Sequence, residues 1–442
     1  MTSRRTAVSA LATGVLLLLV AAAVVARSSA VPRPAAEPVG ATGAATGTVP
    51  DDPLAATITA AQRRLTDLPG DWRTWAELGG AYVEQARITA DPSYYAKAEG
   101  ALRRSLELRP EGNDLALART GALANARHDF AAAADAAQRA LAVDPYDAVA
   151  WGVLTDARTQ LGDYPGATEA LDRMLTLQPG VASFTRAAYD AELHGRGADA
   201  RAALEQALDR ATGPSDTAFV RTWLGMLALS TGDLDAAERH FAAGSAAAPG
   251  SAEPVLGRAR VLAAREQHGA AVEAYRSVVA ARPLPEHLVE FGEYLLHLGR
   301  DAEAAEQFAL VGTVRQLFDA GGVRDDLGTA LFEADHGDPA AAVAAAEREF
   351  AVRQSIDAHD ALAWALHSAG RDGEALEHAR AATALGGRNA TFVYHRGAIE
   401  AALGRTEEAR ASLAEALEVN RSFSPLHAPR AEQLLDSLGG PP

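Results

Sequence analysis

The sequence predicts an all-α protein, built as a solenoid of about ten stacked helix pairs. A unit of about 34 residues recurs along most of the 442-residue chain. Within each unit, two apolar stripes with the spacing of a helix are separated by a short break, commonly at a glycine. An alanine recurs a few residues after that break, and a proline often follows the second stripe. Because one helix pair cannot bury both of its faces, successive pairs are expected to stack on one another.

The amino-terminal 27 residues are predicted to engage a membrane. Arg4 and Arg5 precede an uncharged, apolar run over residues 7–26, which Arg27 closes. As a helix, this run of about 20 residues would just cross the core of a bilayer. Its length favours an uncleaved signal anchor, but the small residues near its end also suit a signal peptidase, so both alternatives remain open. In either case the arginine pair is expected to stay in the cytoplasm and the rest of the chain outside it.

The chain then divides into a tether, a repeat region and a short tail. Residues 28–52 read SSAVPRPAAEPVGATGAATGTVPDD, without apolar periodicity, and we expect them to form a flexible tether. The predicted solenoid occupies residues 53–438, and residues 439–442 form the tail. Residues 429–438, which include RAEQLLDSL, are expected to form a helix that caps the open end of the solenoid.

The repeat unit can be followed along the chain by its spacing. The first unit carries Trp75, Leu78, Gly79, Tyr82, Ala98 and Pro110, and the third carries Trp151, Leu154, Gly162, Ala167, Leu171 and Pro179. This pattern resembles the signature of tetratricopeptide (TPR) repeats over about residues 54–438. The resemblance implies a right-handed superhelical solenoid of about ten TPR-like helix pairs. Residues 87–93 lengthen the turn of the first unit, and the units that begin near Asp326 and His359 have a polar residue where the family prefers a bulky one.

Three recurring residue types indicate how each unit would fold. Glycine can adopt the left-handed conformation that ends a helix, and it recurs in the break at Gly162, Gly195, Gly232, Gly299, Gly337, Gly370 and Gly404. A small side chain lets the paired helices approach closely, and it recurs at Ala133, Ala167, Ala200, Ala237, Ala271, Ala304, Ala342, Ala375 and Ala409. Proline stops the second helix, and it recurs at Pro110, Pro145, Pro179, Pro249 and Pro283.

Composition and motifs argue against a nucleic-acid partner and against enzymatic activity. The formal charge of −17 and the pI near 5.2 leave no excess of basic residues to neutralise phosphates. The chain has no cysteine, and it lacks the common motifs for a nucleophilic serine, a phosphate-binding loop or a zinc protease. His359, His367 and His378 are the densest group of histidines, but their spacings give no pair of ligands on one helix face. We therefore predict no catalytic, cofactor or metal site.

In the TPR family, the first helix of each unit lines a concave groove, and four of its positions face a bound ligand. The resemblance therefore implies a partner-binding groove lined by Asp156, Thr159, Tyr189, Glu192, Phe219, Met226, Arg260, Glu293, Trp364, His367 and Tyr394. A stripe of methionine and aromatic side chains at helical spacing is also typical of a core, so that alternative remains open for Tyr189, Met226 and Trp364. The lysine and asparagine with which chaperone-binding members hold a C-terminal carboxylate are absent, because Ala76 and Gly80 occupy their positions.

These features predict a non-enzymatic scaffold for protein–protein interaction. We expect the concave groove to bind a peptide or a helix of a partner protein, for the assembly or maturation of an envelope complex. The expected location is the outer face of a bacterial cytoplasmic membrane, with the chain anchored by its amino-terminal helix or secreted after signal cleavage. The alternative function is a ligand-sensing regulatory protein that binds a small molecule or peptide. An open, continuous groove suits a polypeptide, whereas a closed cavity of a few hundred Å³ suits a metabolite.

Overall fold

The structure is a computed structural model that describes residues 53–442. Within these residues the chain forms 22 α-helices and no β-strand, which confirms the all-α prediction. The predicted anchor or signal segment, residues 1–27, and the predicted tether, residues 28–52, lie outside the described residues. Across residues 53–442, no helix is both long and apolar enough to span a membrane.

Twenty of the helices form ten pairs, in which each helix packs on the next one along the chain, as the repeat predicts. Helix α1 (Pro53–Asp67) precedes the first pair, and α22 (His427–Ser437) follows the last pair, where the capping helix was predicted. The ten pairs are α2 (Trp72–Thr89) with α3 (Ser93–Leu108), α4 (Asp114–Ala126) with α5 (Phe130–Val143), α6 (Ala148–Leu161) with α7 (Tyr164–Leu177), α8 (Val181–Leu193) with α9 (Gly197–Asp209), α10 (Pro214–Ser230) with α11 (Leu234–Ala247), α12 (Ala252–Ala264) with α13 (His268–Ala281), α14 (Pro285–His297) with α15 (Asp301–Ala320), α16 (Asp326–His336) with α17 (Pro339–Val352), α18 (Ile356–Ser368) with α19 (Asp372–Ala382), and α20 (Ala390–Ala402) with α21 (Thr406–Val419).

The ends of the helices follow from local sequence. Each of the five recurring prolines lies two residues beyond the end of a second helix, as Pro110 does after Leu108 at the end of α3. Aspartates cap several helix starts. Asp163 accepts a hydrogen bond from the Gly166 amide at 3.1 Å, at the start of α7, and thereby satisfies one of the amides that the first turn leaves unpaired.

The turn inside each unit contains a left-handed residue in nine of the ten units. Six of the seven recurring glycines have φ between 69° and 82°. Ala90, His128 and Glu266 adopt the same conformation with φ from 54° to 62°, although a side chain makes it unfavourable there. Gly337 differs, with φ of −129°, so the expectation of a left-handed residue is wrong at this position. The reason is that the Glu333 carboxylate accepts the Asp338 amide at 3.0 Å and closes this turn in another way.

The nine recurring alanines lie where the two helices of a unit cross. All nine are buried, with at most 4% of their surface exposed. Larger side chains fill the spaces between units, and Phe241 and Tyr275 are among those that are fully buried. The alanines therefore set the close packing within a unit, as predicted, while aromatic and aliphatic residues join one unit to the next.

The stacked units curve in one direction. First helices of successive units contact one another, as α4 does with α6 and α16 with α18, whereas contacts between successive second helices are at most marginal. Helices on the inner side of a curve are closer together than those on the outer side. The first helices therefore line the inner side of the solenoid, and the second helices form its outer side.

The solenoid coils so tightly that its second turn touches its first. Five side-chain hydrogen bonds join residues at or beside the turn inside one unit to the segment that follows a later unit, and their partners lie 191 to 196 residues apart. The Arg282 guanidinium donates to the Arg87 carbonyl at 3.2 Å, at one end of this contact. At the other end, the Asn420 side-chain amide donates to the Leu229 carbonyl at 3.0 Å. One superhelical turn therefore contains between five and six units of about 34 residues each. We call this line of contacts the turn–turn seam.

Candidate functional site

The eleven candidate groove residues all lie on first helices, which are α6, α8, α10, α12, α14, α18 and α20. They therefore lie on helices that form the inner side of the solenoid. Their contact with a partner protein stays a prediction. The structure shows instead what each of them contacts within the chain, and these contacts divide them into two groups along the solenoid.

A series of polar side-chain pairs joins the first helices of neighbouring units. We call it the inner ladder, and it consists of two arginine–carboxylate ion pairs, Asp156 with Arg186 and Arg260 with Glu290, and two histidine–carboxylate contacts, Glu293 with His336 and Asp360 with His395. In each pair, one side chain comes from a first helix and the other comes from the first helix of the next unit. The ladder therefore connects units on the inner side, and it uses three of the eleven candidate residues.

The Asp156 and Arg186 pair lies between the third and fourth units. The guanidinium of Arg186 donates from Nε and Nη2 to the two carboxylate oxygens of Asp156, at 2.7 and 2.6 Å. This two-point geometry is the strongest that arginine makes with a carboxylate. Burial raises the pKa of the Asp156 carboxyl, and the attraction of Arg186 works against that rise.

The Arg260 and Glu290 pair repeats this geometry between the sixth and seventh units. Arg260 donates to the two oxygens of Glu290 at 2.8 and 2.6 Å, and the Tyr275 hydroxyl donates to the same carboxylate at 2.9 Å. Arg260 also donates to the sulfur of Met226 at 3.1 Å. Burial alone would lower the pKa of Arg260, but the charge of Glu290 outweighs burial and raises it. Two of the candidate residues, Arg260 and Met226, thus contact each other.

The inner side closes at the carboxyl-terminal end. Asp335 on α16 accepts hydrogen bonds from the Trp364 indole and from His427 Nε2, both at 3.0 Å. Asp335 and His427 are 92 residues apart, so the eighth unit here contacts the capping helix, which follows the tenth unit. Burial opposes the charge of Asp335, but His427 and the Trp364 donor outweigh burial and hold the pKa of that carboxyl below its ordinary value.

Aromatic and imidazole rings surround Asp335 at this end of the solenoid. The Trp364 ring stacks on His395 with centroids 4.0 Å apart, and the Tyr394 ring stacks on His427 at 5.0 Å. We call Asp335, Trp364, Tyr394, His395 and His427 the axial cluster. Trp364 is 6% exposed and Tyr394 is 4% exposed. In this conformation, these two candidate residues contact each other and the cluster rather than solvent.

Two further candidate residues lie beside the axial cluster. Glu293 is 7% exposed and accepts a hydrogen bond from His336 Nε2 at 3.0 Å. Burial raises the pKa of the Glu293 carboxyl, and the His336 donor partly offsets that rise. His367 is half-buried and pairs with Asp372, within the ninth unit, at 2.5 Å. The inner side of the second turn is therefore largely occupied by its own side chains.

The inner side of the first turn remains more open. We define the first-turn inner face as Asp156, Thr159, Tyr189, Glu192, Phe219 and Met226, each of which is half-buried. Among them, Asp156, Thr159 and Tyr189 line a cavity of about 20 Å³, which is room for about one water molecule. Phe219 lies edge-on to Trp223, with ring centroids 6.1 Å apart. This face therefore combines apolar, hydroxyl and acidic groups.

Burial changes the titration of two groups on this face. It raises the pKa of the Glu192 carboxyl to about 7. Burial also raises the pKa of the Tyr189 hydroxyl well above its usual range, and the nearby Asp357 carboxyl raises it further. Asp357 belongs to α18 in the second turn, so the first-turn inner face lies close to the turn–turn seam.

The histidines form no site for a metal ion within the described part of the chain. No group of three histidine, cysteine or acidic side chains with the geometry for a metal lies among residues 53–442. His359 and His378 contact each other through their Nδ1 atoms at 3.0 Å, from α18 and α19. Phe350 contacts both rings edge-on.

The sequence predicts that Asp156, Arg260 and Glu293 contact a partner protein, and it does not reveal their contacts with Arg186, Glu290 and His336 within the chain. A signal was present, because opposite charges lie 30 residues apart in the first two pairs, close to one repeat length. No comparable sequence pattern predicts the axial cluster or the turn–turn seam. The axial cluster joins residues up to about three units apart in sequence, and the turn–turn seam joins residues about six units apart. Whether such residues meet in space depends on the curvature of the whole solenoid.

Comparison with protein-family models identifies the repeats. Two models described as tetratricopeptide repeat match the chain, one over residues 119–182, 185–252 and 256–312 and the other over residues 390–423. Together these matches cover just over half of the 442 residues. The chain belongs to the tetratricopeptide-repeat family. No curated protein matches it in sequence.

Several solved structures are similar to this chain at low sequence identity. The type IV pilus biogenesis factor PilW is 20% identical, with a TM-score of 0.39, over 45% of this chain and 92% of PilW. The Cut9–Hcn1 heterotetramer of the APC/C contains a chain that is 14% identical, with a TM-score of 0.39, over 87% of this chain and 83% of that one. YrrB, a TPR protein with an unusual peptide-binding site, is 18% identical, with a TM-score of 0.29, over 41% of this chain and 93% of YrrB.

Proposed function

We propose that this TPR protein is a non-enzymatic scaffold that binds a peptide or a helix of another protein on its first-turn inner face. The observation that carries the proposal is the contrast between the two turns. The axial cluster fills the inner side at the carboxyl-terminal end of the second turn, whereas the six side chains of the first-turn inner face are half-buried and combine apolar with hydrogen-bonding groups. Membership of the TPR family supports a role in binding peptides or proteins.

The inner ladder gives this face the rigidity that a binding surface needs. The pair of Asp156 with Arg186 fixes one edge of the face, and the contact of Arg260 with Met226 fixes the other. Side chains that are already ordered lose less conformational freedom when a partner binds. A peptide would therefore meet a preformed surface of many modest contacts.

A small-molecule sensor is less compatible with this face. The cavity beside Tyr189 has a volume of about 20 Å³, whereas pockets for small ligands usually measure about 300 to 1,000 Å³. A metabolite would need a cavity that is absent beside these residues in this conformation. A polypeptide can instead bind over the surface of several units, as extended and helical segments do in other grooves.

We further propose that the scaffold acts at the outer face of a bacterial cytoplasmic membrane, in the assembly or maturation of an envelope complex. The uncharged run over residues 7–26 and the arginines before it support this location. Fractionation of cells that produce the full chain tests it. Recovery of the chain with cytoplasmic proteins, without protease accessibility from the outer side, would contradict it.

Capture of partners by the full chain tests the binding role. The full chain, a Tyr189→Ala and Met226→Ala double variant and a Tyr146→Ala control would be used as baits under crosslinking from the same membranes. Tyr146 is 76% exposed in the link between α5 and α6, so it is a matched tyrosine away from the inner face. We expect one protein to be recovered with the full chain and the control, and its recovery to fall about tenfold with the double variant, since two contact side chains are lost.

The outcome separates the two candidate functions. Equal recovery by all three baits would place the binding surface elsewhere, and the inner-face proposal would then be wrong. Recovery of no protein by any bait, together with a metabolite that raises the melting temperature of the purified chain, would favour the sensor instead.

A further inference from the structure

A second pocket lies at the amino-terminal end of the solenoid, away from the inner side. It has a volume of about 330 Å³ and is lined by residues of α1, α2 and α3, among them Ile58, Gln62, Tyr82, Gln85, Tyr94 and Lys97. Helix α1 precedes the ten repeat pairs, so the pocket has no equivalent in the repeat pattern. At 100° per residue, Tyr82 and Gln85 lie on the opposite side of α2 from Gly80, which occupies an inner position.

Two polar groups in this pocket have hydrogen-bonding capacity that no group of the described residues uses. The Tyr82 hydroxyl accepts a hydrogen bond from the Gln62 amide at 2.8 Å, and among residues 53–442 no group accepts its own proton. The side-chain oxygen of Gln85 is buried and has no hydrogen-bond donor, although the residue is only 9% exposed. A buried carbonyl oxygen without a donor is unfavourable, so a ligand with an N–H group would be stabilised there.

Lys97 adds a positive charge at the mouth of the pocket. It is the only lysine in the 442-residue chain, in which the other 40 basic side chains are arginines. Its ammonium group lies 4.1 Å from the centre of the Tyr94 ring. No carboxylate of the described residues forms an ion pair with it, whereas Arg104 on the same helix and Arg127 just after α4 pair with Glu107 and Glu99. The charge of Lys97 is therefore available to an anionic ligand.

We propose that this pocket binds the free carboxyl terminus of a polypeptide. The terminal carboxylate would pair with Lys97 and accept the Tyr82 proton. The last backbone N–H, two bonds from the carboxyl carbon, would donate to Gln85. The last side chain would lie between Ile58 and the Tyr94 ring, which are the apolar parts of the wall. A C-terminal residue with an apolar side chain carries an anion and an N–H donor on either side of the α-carbon that bears this side chain, and it thus matches all three groups.

Other anions fit the same groups less well. Phosphate and acetate have no N–H to satisfy the buried oxygen of Gln85, and phosphate sites normally use several cations or backbone amides rather than one lysine. The net charge of −17 also disfavours small anions that are not held by specific contacts. The pocket is distinct from the first-turn inner face, so its test and the test of the proposed function can fail independently.

A chain labelled with ¹³C at the ε-carbon of lysine gives one reporter signal, because Lys97 is the only lysine. The full chain in detergent would be titrated with a pool of acetylated tetrapeptides, acetyl-Ala-Ala-Ala-X, in which X covers all the amino acids. A second pool would carry the same peptides as C-terminal amides. We expect the Lys97 signal to shift with the free acids and to stay unchanged with the amides. Acetate and inorganic phosphate at the same concentration serve as anion controls.

Calorimetry with the peptide that binds most tightly then measures the affinity of variants, which tests each proposed contact. Lys97→Gln and Gln85→Leu should each weaken binding about tenfold, because each removes one partner of the terminus. Arg103→Gln, an exposed change on α3, is the matched control and should leave the affinity unchanged. Circular dichroism of each variant checks that it folds. Gln85→Asn is the second variant if Gln85→Leu does not fold.

Three results would overturn the proposal. The first is an equal shift with acids and amides, and the second is an equal shift with acetate or phosphate. The third is the absence of any shift with the free acids at millimolar concentration.

Discussion

Gly162 lies directly against the carbonyl of Gln354, which belongs to the next superhelical turn. A β-carbon built on Gly162 would lie 2.5 Å from that oxygen, closer than real side chains approach. The same relationship recurs one unit later, where a β-carbon on Gly195 would lie 2.3 Å from the Gly386 carbonyl. These two glycines therefore serve two purposes, since each ends a helix with positive φ and also lets the second turn rest on the first.

The first prediction concerns the turn–turn seam. Gly162→Ala should destabilise the chain by about 1 to 2 kcal/mol through its left-handed backbone, and further through the clash with Gln354. Gly232→Ala is the matched control, because Gly232 has φ of 76° and open space around its α-carbon. In hydrogen-exchange mass spectrometry, we expect Gly162→Ala to lower protection both near residue 162 and near residues 353–356. Loss confined to the neighbourhood of residue 162 would show that the turns do not touch.

The second prediction concerns the inner ladder. Arg260→Ala leaves the Glu290 carboxylate buried without its arginine, and we expect a loss of about 3 to 5 kcal/mol in the free energy of unfolding of that region. An Arg260→Met and Glu290→Met double variant removes both charges and should recover most of this loss. Urea denaturation, followed by circular dichroism, measures both. If the double variant were as unstable as Arg260→Ala, the loss would not come from the unpaired charge of Glu290. The pair would then stabilise the junction through its own contacts and not only by neutralising each other's charge.

The third prediction concerns pH. Burial raises the pKa of Glu192 from its ordinary value near 4.5 to about 7, so the folded protein prefers the protonated carboxyl. As the pH rises from about 4.5 to about 7, the unfolded chain ionises first, and Glu192 then disfavours folding by up to about 3 kcal/mol. Glu192→Gln removes this effect and should stabilise the protein above pH 7, with a smaller effect near pH 4.5.

Thermal unfolding of both proteins across this pH range measures the difference. Glu169→Gln, an exposed change on α7, is the control. If the gain from Glu192→Gln were constant with pH, the Glu192 carboxyl would not be buried in the way described.

The fourth prediction distinguishes core from binding surface. Trp364 is 6% exposed and donates to Asp335, so Trp364→Ala should destabilise the carboxyl-terminal units by about 3 to 5 kcal/mol. Met226→Ala, on the half-buried first-turn inner face, should lower stability by less. Limited proteolysis should then release fragments from the carboxyl-terminal end in Trp364→Ala alone. A fully stable Trp364→Ala variant would return this residue to the set of binding candidates.

Much of the fold could be predicted from the sequence because a repeat is encoded locally. Alanine at the helix crossings, proline after second helices and glycine in the turns each act within one unit, and Ala237 and Pro249 lie where that reasoning places them. The conformation of the turn is also set by the fold itself, since His128 and Glu266 adopt it without glycine. Helix α1 was included in the repeat region but not distinguished as an extra helix.

The candidate site could be placed only on its helices. Sequence spacing correctly assigned Trp364 and Tyr394 to first helices, yet their exposure depends on how sharply the solenoid curves. That curvature is the sum of small rotations between units, and it brings Asp335 against His427 from 92 residues away. No pattern in a single sequence reports the sum of these rotations. The interior of the second turn therefore could not be distinguished from an open groove.

Site-specific photo-crosslinking tests the central claim, which is that a partner polypeptide binds the first-turn inner face. A photoreactive amino acid would replace Thr159 or Met226 on that face, and Tyr146 or Leu317, which are 76% and 61% exposed, away from it. The account predicts that one partner protein is crosslinked from Thr159 and Met226 and not from Tyr146 or Leu317. Crosslinks to that protein from Tyr146 or Leu317, with none from the inner face, would contradict it.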